Sequence, residues 1–274
     1  MEAIIFSKWV VLILYGLSLS FYVHHFVKQS ERLQNTLIII LLLTIFVHLF
    51  YLIQITFYKQ HLPLSNVFEV MTSYVFIFVV IYFFIERNIK DHSLGTVILL
   101  IGFVLQFISN ISIDYVQERA EVLKQLSFFE FHVSTTLLAY SAFTISFIAS
   151  IMYVMLSREI HNKKLGFFFS RLPSLELLDR LSNLAVVIGV SFITVGMIMG
   201  VYMASKVWGT EWPFDPKLLS VFITWLIYLS FVFFRNVKGW QGKRASWISI
   251  SGFIWVLISF VIFTIFFSKV HSFT

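Results

Sequence analysis

The chain has 274 residues, of which 59% are hydrophobic and 12% charged, and it carries a formal net charge of +6 at pH 7. A mean hydropathy of +0.89 and so few charges exclude an ordinary soluble domain, in which roughly 25% of residues are charged. Because the sequence contains no cysteine, disulfides, thiolate metal ligands and thioether-attached cofactors are excluded as well.

Eight long apolar stretches account for most of the chain. They lie near residues 9–27, 37–57, 67–85, 93–113, 131–156, 183–204, 217–234 and 247–268. Each is close to the roughly 20 apolar residues that a transmembrane helix needs. Continuous apolar runs favour helices over barrel strands, because a helix satisfies its backbone polar groups within its own segment. We therefore predict an all-α fold, a polytopic membrane helical bundle that forms a single integral membrane domain over residues 1–274.

The distribution of Lys and Arg predicts the orientation of this bundle. Thirteen of the 20 basic residues follow predicted spans one, three, five or seven, and the other seven lie on the opposite side. Since cytoplasmic loops carry the excess of basic residues, both termini and the loop at 205–217 are predicted to face outward. The positive net charge is thus a signal of topology and gives no indication of nucleic-acid binding.

The outward loop contains the sequence WGTEWPFDPK at residues 208–217. This segment is too polar and too rich in proline to lie in the bilayer, yet it carries three large aromatic residues, Trp208, Trp212 and Phe214. Flat aromatic faces suit stacking against a flat hydrophobic ligand. The alternative is that the tryptophans belong to the aromatic belt that anchors helix ends at a membrane surface.

Two histidines are predicted to lie at the same membrane surface as this loop. His132 is at the outer start of the fifth span, and His271 follows the eighth span. Neutral imidazole nitrogens ligate iron, and a porphyrin plane stacks on aromatic rings. The combination predicts a haem site in which His132 and His271 are the metal ligands. Taken singly, His132 would be an interfacial histidine paired with a carboxylate, and His271 a solvated residue of the tail.

The remaining polar residues of the spans favour structural roles. Asn66 followed three residues later by Glu69 is typical of a capping box at the start of the third span, and we favour this over a catalytic role. His48 lies in the middle of the second span, where an ionisable side chain is costly and usually faces a partner, but the sequence names none. Four further histidines near the inner ends of spans are predicted to be solvated: His24, His25, His92 and His161.

Two further patterns concern helix packing and the inner surface. Gly196 and Gly200 have the spacing that permits close approach of another helix. The connection at 157–182 combines five basic residues with leucines at helical spacing, which predicts a cytoplasmic amphipathic segment that lies on the membrane. Anchoring to lipid is favoured there over docking of a partner protein. The leucines are Leu175, Leu178 and Leu181.

Four motifs in order resemble the cytochrome c assembly superfamily, the CcsA and CcmC haem-handling proteins, and more closely its HemX branch. The segment PLSNVFE at 63–69 is similar to the family's P-L-S-N-x-[YF]-E stretch. Residues 208–217, with ITWLIY at 223–228, resemble its WGxxWxWDPK loop and the following helix. His132-Val133, with Tyr140 downstream, and His271-Ser272-Phe273 resemble the segments that bear its two external haem-ligand histidines. The resemblance runs from about Pro63 to the C-terminus.

The chain departs from this family pattern at three places. Phe233 occupies the position where the CcsA proteins have a membrane-embedded histidine, shortly before an arginine. Phe214 replaces the third tryptophan of the loop, and Leu218-Leu219-Ser220 replaces a Glu-Thr-Trp run. These departures indicate a site better suited to holding haem than to passing it through the membrane.

The expected function follows from the resemblance and from the absence of a catalytic constellation. No acid–base pair, activated nucleophile or phosphate-binding loop is recognisable, so the chain is predicted not to be an enzyme. The HemX resemblance implies a haem-binding protein of the bacterial plasma membrane that lowers the level of glutamyl-tRNA reductase, its candidate cytoplasmic partner. The alternatives are a haem-handling component of cytochrome c maturation, and a scaffold or transporter that has lost haem. The expected cofactor-binding residues are Trp208, Gly209, Trp212, Phe214, Asp215 and Lys217, of which Asp215 and Lys217 orient the loop or meet the propionates.

Overall fold

The computed structural model describes residues 1–29, 31–113, 126, 128–163, 166–208 and 216–266, and every long element within these ranges is an α-helix. The eight described helices are α1 Glu2–Lys28, α2 Gln34–Lys59, α3 Val67–Ile89, α4 Ser93–Ser112, α5 Phe129–His161, α6 Leu175–Trp208, α7 Pro216–Lys238 and α8 Lys243–Phe266. Helices α1 to α7 each contain an apolar stretch long enough to cross a membrane. The predicted polytopic helical bundle is thereby confirmed, while the predicted span at 247–268 extends beyond the described residues.

Helices α5 and α6 are longer than the spans predicted for them, at 33 and 34 residues. Helix α6 starts at Leu175, where the hydroxyl of Ser174 accepts a hydrogen bond from the backbone N–H of Leu177 at 3.3 Å. Residues 175–182 are therefore the first two turns of α6 and continue directly into its apolar part. Two of the three leucines in this amphipathic pattern, Leu178 and Leu181, are buried.

The chain divides into two compact units. Unit 1 contains α1 to α4 together with Ser170–Pro173, and unit 2 contains α5 to α8. Each unit has its own buried core. In unit 1, Arg171 donates hydrogen bonds to the carbonyls of Phe26 and Val27 at the end of α1, which satisfies acceptors that a helix end leaves open.

The predicted capping box starts α3 with one difference, since the Glu69 carboxylate bonds to the N–H of Ser65, one residue before the N-cap Asn66. The Asn66 Oδ1 accepts hydrogen bonds from the backbone N–H groups of Phe68 and Glu69 at 3.1 and 2.9 Å, and the Glu69 carboxylate accepts one from Ser65 N. The structure adds an ion pair that the sequence did not predict, since Lys59 Nζ lies 2.6 Å from Glu69 Oε1 with both side chains almost fully buried. The box therefore joins α2 to α3.

His48 has hydrogen-bond partners on two other helices of unit 1. Its Nδ1 lies 2.9 Å from the Tyr15 hydroxyl, and its Nε2 lies 3.0 Å from the Thr72 hydroxyl. Thr72 donates in turn to Gln106 Oε1 at 3.0 Å. All four side chains are fully buried. The partner that an intramembrane histidine requires is thus supplied by α1 and α3, and the contact continues to α4.

Two of the four histidines predicted to be solvated are buried instead. His25 is only 9% exposed, and the side chain of His92 is 8% exposed. The two rings pack edge-to-face with centroids 5.4 Å apart. His92 Nδ1 also lies 2.9 Å from the Glu86 carboxylate, off the direction of an aligned hydrogen bond, and Tyr22 donates to both oxygens of Glu86 at 2.8 Å. The prediction was wrong because helix packing closes over these side chains, whereas His24 and His161 are exposed as predicted.

The inner end of unit 2, as the charge pattern orients it, is held by a bidentate ion pair. Arg235 NH1 and NH2 lie 3.0 and 2.6 Å from the two oxygens of Asp179, and Gly242 N donates to the same carboxylate at 2.8 Å. This group ties the start of α6 to the end of α7 and the turn before α8. A bidentate guanidinium–carboxylate pair fixes orientation as well as distance. The ends of these three helices are therefore held in fixed positions relative to one another.

Candidate functional site

His132 lies in the first turn of α5 and is half-buried. Its Nδ1 is 2.8 Å from the backbone oxygen of Gly196 on α6. Its own carbonyl accepts hydrogen bonds from the Thr135 and Thr136 hydroxyls at 2.9 and 2.7 Å. The imidazole is therefore fixed by the neighbouring helix, and the turn that bears it is fixed by its own threonines.

The bond to Gly196 determines which nitrogen of His132 carries the proton. A carbonyl oxygen only accepts, so Nδ1 must donate its N–H to it. In the neutral imidazole the lone pair then lies on Nε2. Metal-ligating histidines commonly donate their other ring N–H to a backbone carbonyl or a carboxylate, which sets the tautomer and the ring orientation. His132 thus has the protonation pattern of an Nε2 ligand.

His132 packs against Gly196 and Gly200, the two glycines that were predicted to permit close helix packing. A Cβ added at Gly200 would lie 2.9 Å from His132 Cε1, and one added at Gly196 would lie 2.9 Å from the Thr136 hydroxyl. Both distances are well inside ordinary van der Waals contact, so larger residues would displace the neighbours. The sequence predicted close packing at Gly196 and Gly200 but not the residues that fill the space.

The helix ends that border the tryptophan-rich loop lie at the same end of unit 2 as His132. Helix α6 ends at Trp208, two turns beyond Gly200, and α7 begins at Pro216. Further along these helices Trp225 Nε1 donates to Thr194 Oγ1 at 2.9 Å, which ties α7 to α6. Helix α8 is tied to α7 by the bond from Trp255 Nε1 to the carbonyl of Ser220 at 3.3 Å. Two tryptophan hydrogen bonds therefore join α6 to α7 and α7 to α8.

Most of the other predicted site residues lie outside the described residues. These are Gly209, Trp212, Phe214, Asp215 and His271, and of Trp208 and Lys217 only the helical backbone is described. The described part brings His132 together with Gly196, Gly200 and Thr136. Stacking of haem on the aromatic residues and ligation by His271 stay predictions.

The donor that the structure describes at the candidate site is one imidazole, His132, fixed through its Nδ1. Haem needs few protein ligands, because the porphyrin supplies four nitrogens and the protein one or two axial side chains. A single oriented imidazole such as His132 therefore fits haem.

Phe233, which stands where the CcsA pattern has a membrane histidine, does not enter the core of unit 2. Its side chain is half exposed, and its ring meets that of Phe234 edge-on with centroids 5.6 Å apart. Position 233 thus lies on the surface of α7. The buried residues that this helix contributes to the hydrophobic core are Tyr228 and Phe231.

Residues 64–271 match the family model described as Cytochrome C assembly protein. The chain belongs to this family. The match covers α3 to α8 and includes His132, the tryptophan-rich loop and His271, while α1 and α2 precede it. The predicted resemblance to the cytochrome c assembly superfamily is confirmed.

The similar curated proteins are named cytochrome c biogenesis protein CcsA. The protein from Heterosigma akashiwo (strain NIES-293 / 8280G21-1) is 29% identical over 230 residues, which cover 71% of each chain. The protein from Prochlorococcus marinus (strain MIT 9312) is 28% identical over 253 residues, covering 83% of this chain and 82% of the relative. The protein from Guillardia theta is 28% identical over 221 residues, covering 73% of each. The names of these relatives refer to cytochrome c biogenesis, and they give no support to the predicted HemX type or to a link with glutamyl-tRNA reductase.

Proposed function

We propose that this protein handles haem during cytochrome c maturation and holds it at the outer end of unit 2, with His132 as an axial ligand. The observation that carries the proposal is the hydrogen bond from His132 Nδ1 to Gly196 O, which leaves Nε2 as the lone-pair nitrogen in a chain of the cytochrome c assembly family. The names of the relatives support this function over regulation of haem biosynthesis.

Haem is the cargo in this proposal, and the protein contributes binding and orientation without catalysis by its own side chains. His132 binds the iron from one side, and His271 is the proposed second ligand. Trp208, Trp212 and Phe214 supply a stacking surface for the porphyrin, while Asp215 and Lys217 orient the loop or meet the propionates. Delivery to an apocytochrome requires a partner protein. A location in the bacterial plasma membrane is part of the same proposal.

Replacing His132 by alanine is expected to lower covalent haem in c-type cytochromes about 10-fold or more, because even residues that only orient a metal ligand typically matter 10–100-fold. The measurement is haem staining of membrane proteins from a deletion strain complemented with each variant. His24→Ala is the control. His24 is exposed and lies near the end of α1, which the charge pattern places on the inner side of the membrane. Normal haem staining together with an altered glutamyl-tRNA reductase level would contradict the proposal and favour the regulatory alternative.

The purified protein provides a second test. With added haem, the wild type is expected to develop a Soret band and the α and β bands of a low-spin, bis-imidazole complex on reduction. The His132→Ala and His271→Ala variants are expected to lose these low-spin features. Unchanged spectra in both variants, or no Soret band in the wild type, would rule out this ligation scheme.

A further inference from the structure

Helices α5 and α6 form the most extensive helix pair of unit 2 and run antiparallel. Four cross-helix contacts mark their seam. His132 meets Gly200, Thr136 meets Gly196, Phe143 meets Gly189, and Ser150 meets Ser182. On each helix these positions are separated by four, seven and seven residues. This is the spacing of a coiled-coil seam, so one regular register extends along the pair from the serine contact to His132.

Small residues on α6 determine how closely the two helices approach along this seam. A Cβ added at Gly189 would overlap the Phe143 ring, and Cβ atoms at Gly196 and Gly200 would press on Thr136 and His132. Without a hydrophobic driving force between helices in lipid, such small residues favour association by permitting close van der Waals packing. The seam thus has three glycine positions, of which only the outermost two lie beside His132.

The carbonyl of Gly196 has a second acceptor site that these glycines make accessible. In an α-helix this oxygen accepts the N–H of the residue four positions on, which here is Gly200, and a carbonyl has two lone pairs. Side chains at i and i+4 lie on one face of a helix. Because residue 200 has no side chain, His132 Nδ1 reaches the Gly196 oxygen from the side, at 2.8 Å.

We propose that Gly196 and Gly200 are positioning residues for the haem ligand His132. Gly196 O holds the Nδ1–H tautomer, and the missing side chain at Gly200 leaves the space that the imidazole Cε1 occupies. Together they set the direction of the Nε2 lone pair relative to the helix ends around the loop. This inference rests on the proposed function, because it assigns a role to the neighbours of the proposed ligand.

The register of α5 against α6 therefore controls haem ligation. A side chain at position 200 displaces the imidazole and breaks its bond to Gly196 O, although His132 itself is retained. The loss differs from general damage to the seam. A substitution at Gly189 disturbs the same helix pair on the same face of α6, but its neighbour is Phe143 and not the ligand.

The test compares Gly200→Ala with Gly189→Ala in the full-length protein in detergent, titrated with haem and followed by absorption and electron paramagnetic resonance. Gly200→Ala is expected to weaken haem binding about 10- to 100-fold, the range typical of residues that orient a metal ligand, and to convert part of the low-spin signal to high-spin. Gly189→Ala is expected to lower the melting temperature while keeping the wild-type spectrum and affinity. A Gly200→Ala protein with the wild-type spectrum and affinity would overturn the proposal.

Nitrogen-15 NMR of histidine-labelled wild-type protein tests the geometry without any substitution at the glycines. The His132 ring is expected in the Nδ1–H tautomer before haem is added, with its signals assigned by their loss in His132→Ala. An Nε2–H tautomer would overturn the proposal even if Gly200→Ala fails to fold. If wild type and His132→Ala bind haem alike, the proposed function fails and the positioning role fails with it. If they differ while Gly200→Ala matches the wild type, only the positioning role fails.

Discussion

Replacing Lys59 by methionine is expected to lower the free energy of unfolding by about 3–5 kcal/mol, the usual cost of leaving one member of a buried ion pair without its partner. Glu69 is fully buried, and Lys59 Nζ lies 2.6 Å from its Oε1. After the substitution the carboxylate keeps the hydrogen bonds from Ser65 N and Asn66 Nδ2. These two bonds do not replace a full opposite charge in a dry environment.

The measurement is an SDS titration of the purified protein in mixed micelles, followed by circular dichroism. Lys28→Met is the matched control, because Lys28 also ends a helix but is exposed, and a surface substitution of this kind is usually within about 0.5 kcal/mol. The double variant Lys59→Met/Glu69→Gln is expected to recover most of the loss, since both charges are removed while the amide oxygen still accepts. Equal stability of Lys59→Met and Lys28→Met would contradict the ion-pair argument.

The sequence predicted the helical architecture better than the extent of its longest helices. Apolar windows detect only the part of a helix that lies in hydrocarbon. Helices α5 and α6 continue beyond it at their inner ends, where polar residues such as Arg158 and Asp179 alternate with buried leucines. An amphipathic pattern at the membrane surface is the same whether the segment lies flat or extends a span, so its direction could not be predicted from the pattern alone.

The environments of the inner histidines could not be predicted either. His25 and His92 follow or precede apolar runs, which normally indicates contact with water. His92 lies against Glu86 on α3 and against Tyr22 on α1, which is 70 positions away in the sequence, and the ring of His25 packs on that of His92. Without knowledge of which helices are neighbours, position along a span does not determine exposure.

Part of the candidate site could be predicted from the spacing of residues within single helices. Gly196 and Gly200 predict a helix that approaches closely, and His132 and Thr136 have the same four-residue spacing on the facing helix. Spacing alone does not pair one helix with another, because several helices of this chain carry small or polar residues four apart. The hydrogen bond from His132 to Gly196 O links residues 64 positions apart and required the antiparallel register to be known.

Replacing His48 by leucine is expected to destabilise the protein by about 2–4 kcal/mol while leaving the haem spectrum unchanged. The magnitude follows from leaving buried polar partners unsatisfied, at about 1–3 kcal/mol each. Asn110 Nδ2 donates to the carbonyl of Lys8, so Asn110 Oδ1 must accept from Gln106 Nε2. Gln106 Oε1 then accepts from Thr72, and the Thr72 oxygen accepts from His48 Nε2–H. His48 Nδ1 therefore accepts the hydrogen of Tyr15.

One backbone carbonyl thus sets the direction of the whole chain of hydrogen bonds, and both nitrogens of His48 are used within it. In this state neither ring nitrogen of His48 can also ligate a metal ion. Denaturation in SDS and haem titration of the same samples measure the two effects separately, with His24→Leu as the exposed control. Adding Tyr15→Phe to His48→Leu is expected to cost less than the sum of the single changes, because the orphaned hydroxyl is removed. Loss of the low-spin haem signal in His48→Leu at unchanged stability would contradict the structural role and would indicate that His48 takes part in haem binding.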